Sequence, residues 1–242
     1  MRKIGFSTGA LARGDFRAAL AILERHGVEA VELSALRVEE LEPLVEAIPT
    51  LDLRAFSFVS FHAPSGFGPE REEWVVRRLE PVARAGFPVV VHPDVIYRSE
   101  RWEVFGDRLL IENMDKRKPG RRVEELRGFF ERLPEAGFCF DIGHARQVDP
   151  SMTEAAMLVR AFGGRMREIH MSEVTTASRH DPISGNAVSA FGQVAGMIPA
   201  EVPVILESLI DAGQSDVETE MRRAREVFGG ALVGMPAVVP PG

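Results

Sequence analysis

Short apolar runs alternate with longer amphipathic stretches along the whole chain. Each short run has four or five residues and is mostly apolar, which is typical of β-strands that are buried on both faces. Eight such runs are found, at 4–7, 30–33, 58–62, 89–92, 109–112, 138–141, 168–171 and 204–207. The pattern therefore predicts eight strands.

Most of the stretches between these runs carry apolar residues every three to four positions, the period of an amphipathic helix. After the first strand, Asp15 is placed to cap a helix that Gly27 ends. Comparable helices are predicted at 123–133, 153–162 and 216–228. The connection at 97–107 is short and leaves room for one or two helical turns.

Alternating strands and helices predict a parallel sheet, because parallel strands need crossover connections. Eight such units in 242 residues favour an α/β fold of one (β/α)₈ TIM barrel with a parallel eight-stranded core. We expect one domain over residues 1–242 that ends in a Pro-rich tail at about 231–242. The glycines of GFSTGA after the first strand do not form the dinucleotide-binding fingerprint, and the sequence has no Walker A motif.

The composition fits a globular intracellular protein. Hydrophobic residues make up 45% of the chain and charged residues 27%, and no apolar run approaches the roughly 20 residues that span a bilayer. The first residues contain no apolar segment of the signal-peptide type. Cys139, the only cysteine, cannot form an internal disulfide and is expected in the core. We therefore expect a cytoplasmic protein without a membrane partner.

The net charge of the chain also indicates which binding partners to expect. A net charge of −7 argues against a nucleic-acid partner, although it leaves a local basic groove open. The predicted helices are rich in arginine, which allows a homodimer to pack through one face of the barrel.

Residues that commonly bind metals fall at the ends of the predicted strands or in the loops that follow. Of the six histidines, only His26 lies elsewhere, on the first predicted helix. The others occur together with three carboxylates, and the complete set is His62, His92, Glu112, Asp141, His144, His170, His180 and Glu207. A single histidine at a strand end is usually structural, but eight such side chains on one face are hard to explain that way.

All strands of a barrel end at the same face, where the active sites of this fold lie. The eight side chains would therefore meet at one mouth. Mixed histidine and carboxylate sets select zinc, manganese, iron or cobalt, whereas all-oxygen sets suit magnesium or calcium. The sequence thus predicts a site for one to three divalent ions (Zn, Mn, Co, Fe or Mg).

Further polar residues lie close to this set. Glu32 ends the second predicted strand, where it could reach the mouth or brace a neighbouring loop. Four residues that follow Glu112 are placed to hydrogen-bond the ligands or a substrate, namely Asn113, Asp115, Lys116 and Arg117. Arg179, next to His180, is a candidate for binding an anionic group of the substrate.

The motifs FHAP, HPD, IENMD, FDIGHA, IHMSE, SRHDPISG and VILES, in this order, resemble those of the xylose isomerase-like TIM barrels. This superfamily includes sugar isomerases, epimerases and endonuclease IV-type AP endonucleases. In the isomerase branch, the resemblance implies one divalent metal, a catalytic acid/base pair of glutamates, and substrate contacts from a histidine and an arginine. The matching metal ligands are Glu112, Asp141, His170 and Glu207. Glu112 and Glu207 match the acid/base pair, while His144 and Arg179 match the substrate contacts.

In the endonuclease branch, the resemblance implies three zinc ions held by all eight strand-end residues. The chain departs from this pattern at Ser178, where the endonucleases have an aspartate ligand. Asp181 is close enough in sequence to replace it, but Pro182 constrains that loop. The chain also leaves little room for loops that insert into DNA.

We therefore expect a metal-dependent isomerase or epimerase that acts on a small carbohydrate. The alternative is a multi-zinc phosphoester hydrolase that acts on abasic DNA. A further alternative is a barrel that keeps the metal pocket but serves as a binding protein or a lyase.

Overall fold

The structure is a computed structural model that describes residues 2–210 and 214–229. Its main feature is a closed barrel of eight parallel strands in the order β1-β10-β7-β6-β5-β4-β3-β2. The barrel strands are β1 (Ile4–Ser7), β2 (Ala30–Ser34), β3 (Phe58–His62), β4 (Val89–Val91), β5 (Leu109–Glu112), β6 (Gly137–Asp141), β7 (Met166–Met171) and β10 (Val204–Leu206). This confirms the predicted (β/α)₈ barrel, and the eight predicted strands are its eight strands.

Helices surround the barrel. They are α1 (Phe16–Arg25), α2 (Val38–Ala47), α3 (Glu72–Arg84), α4 (Ser99–Trp102), α5 (Val123–Arg132), α6 (Ile142–Val148), α7 (Thr153–Phe162), α8 (Gly185–Ala195) and α9 (Gln214–Gly229). Asp15 caps α1 as predicted, because its side chain accepts hydrogen bonds from the backbone N–H groups of Arg17 and Ala18. The short 97–107 connection contains α4 and a 3₁₀ segment. The predicted tail at 231–242 lies outside the described residues.

One feature of the fold was not predicted from the sequence. It is an antiparallel hairpin formed by β8 (Glu173–Val174) and β9 (His180–Asp181). It follows β7 directly, and its turn places Ser178 at a φ of 56°. A left-handed backbone is unusual for a residue with a side chain, and here it closes the tight turn. The hairpin brings His180 back over the mouth.

The core has two parts, which follow from the alternation of side chains along each strand. Strand residues on the outer face, such as Phe61, Ile111 and Phe140, pack against the helices in one large cluster. Val90, Leu110 and Cys139 form a separate cluster. Cys139 is fully buried, as predicted. Within the described residues, no helix is long and apolar enough to cross a membrane.

A buried carboxylate fixes the long connection between β4 and β5. Glu72 on α3 is fully buried, and its Oε1 accepts hydrogen bonds from the N–H groups of Tyr97, Arg98 and the Trp102 indole. Its Oε2 accepts one from Arg101 at 3.0 Å. One side chain therefore accepts hydrogen bonds from four donors in a segment that begins only a few residues after β4.

Replacing Glu72 with alanine is expected to lower the free energy of unfolding by about 3 kcal/mol, because buried donors lose their partner. Urea unfolding followed by circular dichroism measures the change. Glu73→Ala is the matched control, since Glu73 is exposed and pairs with Arg77, and surface pairs contribute about 1 kcal/mol or less. Equal losses in both variants would contradict this role of Glu72.

Candidate metal centre

The carboxyl ends of the strands bring the predicted ligands to one end of the barrel. His62, Glu112 and Asp141 are the last residues of β3, β5 and β6. His92 and Glu207 directly follow β4 and β10. Short contacts link these side chains to one another and to those of His144, His170 and His180. All eight predicted residues thus lie in one cluster.

Glu112 is at the centre of this cluster. Its Oε2 lies 3.2 Å from His62 Nε2 and 3.3 Å from His92 Nε2. Its Oε1 lies 3.2 Å from His144 Nδ1 and 3.7 Å from His170 Nδ1. Both oxygens are therefore occupied by imidazole nitrogens, and the side chain is only 1% exposed.

Glu207 and Asp141 are the other two carboxylates of the cluster. His170 Nδ1 is 3.4 Å from Glu207 Oε1, and His180 Nδ1 is 3.4 Å from Glu207 Oε2. Asp141 Oδ2 is 3.2 Å from His144 Nδ1. Glu207 is 16% exposed, whereas Asp141 is fully buried. Glu207 is therefore the carboxylate of these two that a substrate can reach.

Four overlapping groups of the described residues could each hold a metal ion, because one potential ligand atom per residue lies within 4.8 Å of the others. One combines Glu32 with His62 and His170, and three lie wholly within the cluster. Those three are the four-ligand group (Glu112, Asp141, His170 and Glu207), the His62–His92 group (His62, His92 and Glu112) and the His144–His180 group (Asp141, His144 and His180). Glu112 and Asp141 are each shared by two groups.

The four-ligand group fits a metal ion for two reasons. Asp141 Oδ2 and His170 Nδ1 are buried and have no hydrogen-bond partner among the described residues, so a cation between them would satisfy both. In addition, ligands bonded at about 2.1 Å to a tetrahedral cation lie roughly 3.4 Å apart. The 3.4 Å contact between His170 and Glu207 has this length.

The pKa values of the cluster reflect its crowded charges. Burial opposes the charged form of His62, but Glu32 and Glu112 together outweigh it and raise the pKa to about 9. Burial also opposes the charged form of His144, but Asp141 and the nearby glutamates together outweigh it and raise the pKa to about 10. At His92, burial dominates and lowers the pKa to about 4. The three histidines therefore differ in protonation near neutral pH when no metal is bound.

Metal loading is expected to release protons. Burial opposes protonation of His170, but nearby anionic groups raise its pKa well above the usual value. A metal ligand must give up this proton, so the apparent metal affinity should rise with pH near neutrality. Calorimetric titration in buffers of different ionisation enthalpy measures the release. An affinity that does not change with pH would contradict the assignment of His170 as a ligand.

The loop residues predicted to surround the ligands differ in how closely they approach the cluster. Asn113 is fully buried and joins β5 to β6, because its Nδ2 donates to the Asp141 carbonyl and its Oδ1 accepts from the Asp141 N–H. It thus positions Asp141. Asp115 binds Arg117 at 3.1 Å, and Lys116 is exposed.

Of the hairpin residues considered as ligands or substrate contacts, His180 lies in the cluster, whereas Ser178, Arg179 and Asp181 have other partners. Ser178 Oγ accepts a hydrogen bond from Gln147 Nε2 at 2.9 Å. Asp181 pairs with Arg179, with Oδ1 2.7 Å from Nε, so its carboxylate is not available to replace the missing aspartate. Arg179 and Asp181 line an open cavity of about 660 Å³ next to the hairpin. The His144–His180 group therefore has Asp141 as its carboxylate.

A layer of polar residues below the cluster was only partly predicted. The sequence left open whether Glu32 reaches the mouth or braces a neighbouring loop. It lies inside the barrel, with its Oε2 3.1 Å from His170 Nε2. Glu168 Oε1 lies 3.5 Å from the same nitrogen and accepts a hydrogen bond from Ser60 Oγ at 2.8 Å. Sequence analysis missed Glu168, although its position two residues before His170 places it on the same face of β7.

Replacing Glu32 with alanine is expected to weaken metal binding about 10- to 100-fold, because carboxylates that hold the second nitrogen of a ligating histidine have effects of this size. Glu32→Gln retains an acceptor for His170 Nε2 and should lose less. Competition with a coloured chelator gives the affinities. Unchanged affinity in a folded Glu32→Ala protein would show that Glu32 does not support His170.

Known structures share this fold. A xylose isomerase domain protein from Alicyclobacillus acidocaldarius superposes with a TM-score of 0.64 at 14% identity, over 94% of this chain and 99% of that one. A xylose isomerase-like TIM barrel protein from Mycobacterium smegmatis, solved in complex with magnesium, gives 0.58 at 12% identity over 96% and 98%. A proposed sugar phosphate isomerase/epimerase from Anabaena variabilis gives 0.53 at 14% identity over 100% and 92%.

No protein-family model and no curated protein matches the sequence. The comparison therefore rests on structural similarity. This similarity shows that the chain has the fold of the xylose isomerase-like TIM barrels. This confirms, at the level of the fold, the resemblance drawn from the sequence motifs.

Proposed function

We propose that the protein is a divalent-metal-dependent enzyme that isomerises a small carbohydrate. The four-ligand group carries the proposal, because it combines a fitting metal site with one carboxylate, Glu207, that a substrate can reach. Three carboxylates and one imidazole suit manganese, cobalt or magnesium. Sugar isomerase-type neighbours, one of them solved with magnesium, support the same class of substrate and metal.

The bound metal would polarise a carbonyl and the neighbouring hydroxyl, which acidifies the C–H bond between them. Glu207 takes the proton from that carbon and returns it to the former carbonyl carbon, while the hydroxyl proton moves to the carbonyl oxygen. A ketose then becomes an aldose with no net change in atoms. His180, 3.4 Å from Glu207, lies on the same side of the mouth to orient the substrate.

The exposure of the two glutamates favours this one-base mechanism. Both contact imidazoles, but the Glu112 side chain is 1% exposed and the Glu207 side chain is 16% exposed, so Glu112 is suited to holding metal and less suited to reaching a substrate carbon. One accessible base supports proton transfer along one face of the substrate, as isomerisation requires. Inversion at a carbon requires bases on opposite faces.

Solvent exchange tests the proposal. Protein loaded with manganese, magnesium or cobalt is incubated in deuterium oxide with a panel of ketoses, aldoses and their phosphates. We expect metal-dependent deuterium incorporation next to the carbonyl of at least one compound, together with its isomer. Metal-loaded protein that neither exchanges nor isomerises any member of the panel would contradict the proposal.

Phosphoester hydrolysis is a second candidate, favoured by the contacts of both His62 and His92 with Glu112 Oε2. A carboxylate shared between two ions is typical of multi-metal hydrolases. Zinc-loaded protein would then nick a duplex with an abasic site, and its affinity for DNA would fall steeply with salt. Intact duplex after incubation with fully loaded protein would remove this candidate.

A further inference from the structure

Lys118 lies in the loop after β5, and its ammonium group makes three contacts at the rim of the cluster. Nζ is 3.0 Å from the Ser65 carbonyl, 3.0 Å from Asp94 Oδ2 and 3.1 Å from His92 Nδ1. An ammonium has three donors and no acceptor, so each contact uses one of its N–H groups. His92 Nδ1 must therefore direct its lone pair at Lys118.

This contact determines what the other nitrogen of His92 can do. A neutral imidazole has one N–H and one lone pair, so His92 carries its proton on Nε2. That nitrogen lies 3.3 Å from Glu112 Oε2, to which it donates a hydrogen bond. A metal ligand needs a lone pair directed at the ion. In this arrangement His92 is a hydrogen-bond donor to Glu112.

His62 has the opposite arrangement. Its Nδ1 is 2.7 Å from the Ala63 carbonyl, which can only accept, so Nδ1 carries a proton. Nε2, 3.2 Å from Glu112 Oε2, is then the nitrogen that can direct a lone pair at an ion. His170 resembles His62. Its Nε2 faces the Glu32 carboxylate, and its Nδ1 is the nitrogen that faces Glu112. Ligating histidines usually donate their second N–H to an acceptor. At His92 the Lys118 ammonium is in hydrogen-bond contact with that nitrogen at 3.1 Å, while the nearest carboxylate oxygen, Asp94 Oδ1, is 3.9 Å away.

We propose that Lys118 keeps the His62–His92 group free of metal, so that the ion at the four-ligand group has no partner ion across Glu112. For His92 Nε2 to ligate, the proton must move to Nδ1, where an imidazole N–H would face the N–H of Lys118 at 3.1 Å. The inference rests on the proposed function and deepens it. A single ion suits isomerisation, whereas an ion pair bridged by Glu112 suits phosphoester hydrolysis.

Metal titration tests the inference. Metal-free parent protein and Lys118→Met are titrated with zinc and with manganese, and the bound metal is measured by elemental analysis after gel filtration. We expect one equivalent in the parent and two in Lys118→Met. The second equivalent should bind about 10- to 100-fold more tightly than in the parent, the usual effect of a group next to a ligating histidine.

Three further variants separate this effect from a change in net charge. Lys116→Met removes an exposed positive charge from the same loop and should keep one equivalent. Lys118→Arg keeps a donor for His92 Nδ1 and should also keep one. Adding His92→Ala to Lys118→Met should remove the second equivalent, because the ion loses its imidazole.

Nitrogen NMR of histidine-labelled, metal-free parent tests the inference without any change to Lys118. We expect His92 to show an unprotonated Nδ1 and a protonated Nε2, and protonation at His92 Nδ1 would overturn the inference. One equivalent in both the parent and Lys118→Met would also overturn it, as would a second equivalent in the parent that His92→Ala removes. A change from one to two equivalents without any deuterium exchange would instead leave the inference standing and contradict the proposed isomerase.

Discussion

Replacing Glu207 with glutamine is expected to reduce deuterium exchange by two to four orders of magnitude, the range that a positioned acid/base group contributes. Glutamine has nearly the same shape and can still offer an oxygen to a metal, but it cannot accept the substrate proton. The side chain is 16% exposed and contacts His170 and His180, so the variant should fold. Exchange rates at saturating metal and substrate give the ratio.

Two comparisons make this result specific to Glu207. Glu124→Gln changes an exposed carboxylate on α5 and should exchange at the parent rate. Glu112→Gln should mainly weaken metal binding, with exchange partly restored at high metal concentration, because Glu112 is enclosed by imidazoles. Parent-level exchange in metal-loaded Glu207→Gln would exclude Glu207 as the base.

Replacing Asp141 with asparagine is expected to weaken metal binding by more than about 100-fold, the upper end of what residues around a ligand contribute. Asp141 Oδ2 is buried without a hydrogen-bond partner in the described part of the chain, and the cationic group closest to it is the imidazole of His144, with Nδ1 at 3.2 Å. Burial accordingly raises the pKa of Asp141 to about 6. Equilibrium dialysis against manganese measures the loss.

Asparagine is a suitable test because it keeps the structural role of Asp141. Asp141 Oδ1 caps α6 by accepting a hydrogen bond from the His144 N–H at 2.6 Å. Asparagine caps helices about as well as aspartate, so the free energy of unfolding without metal should change little. Parent-level affinity in a folded Asp141→Asn protein would show that the metal does not bind at the four-ligand group.

The barrel and the membership of the cluster were predictable because both depend on local patterns. Apolar runs of four or five residues indicated buried parallel strands, and the barrel then required His62, Glu112 and Asp141 to meet at one end. The length of the 97–107 connection likewise limited it to short helical turns. These inferences needed only periodicity and the geometry shared by all such barrels.

Contacts between distant loops were not predictable in this way. Lys118 and His92 are 26 positions apart, and their contact depends on the paths of two irregular loops. Asp181 pairs with Arg179 only two positions away, but this depends on the β8–β9 hairpin, which the sequence pattern did not predict. Glu168 was predictable in principle, since a two-residue period places it under His170, but it begins the predicted strand at 168–171, whereas the predicted ligands lie at strand ends or in the following loops.

The position of the metal tests the account most directly. A crystal structure of manganese-loaded protein, with anomalous difference maps collected for manganese, would locate every bound ion. The account predicts one strong peak bonded to Glu112, Asp141, His170 and Glu207, and none between His62 and His92. Absence of a peak at the four-ligand group, with the ion bound elsewhere, would contradict it.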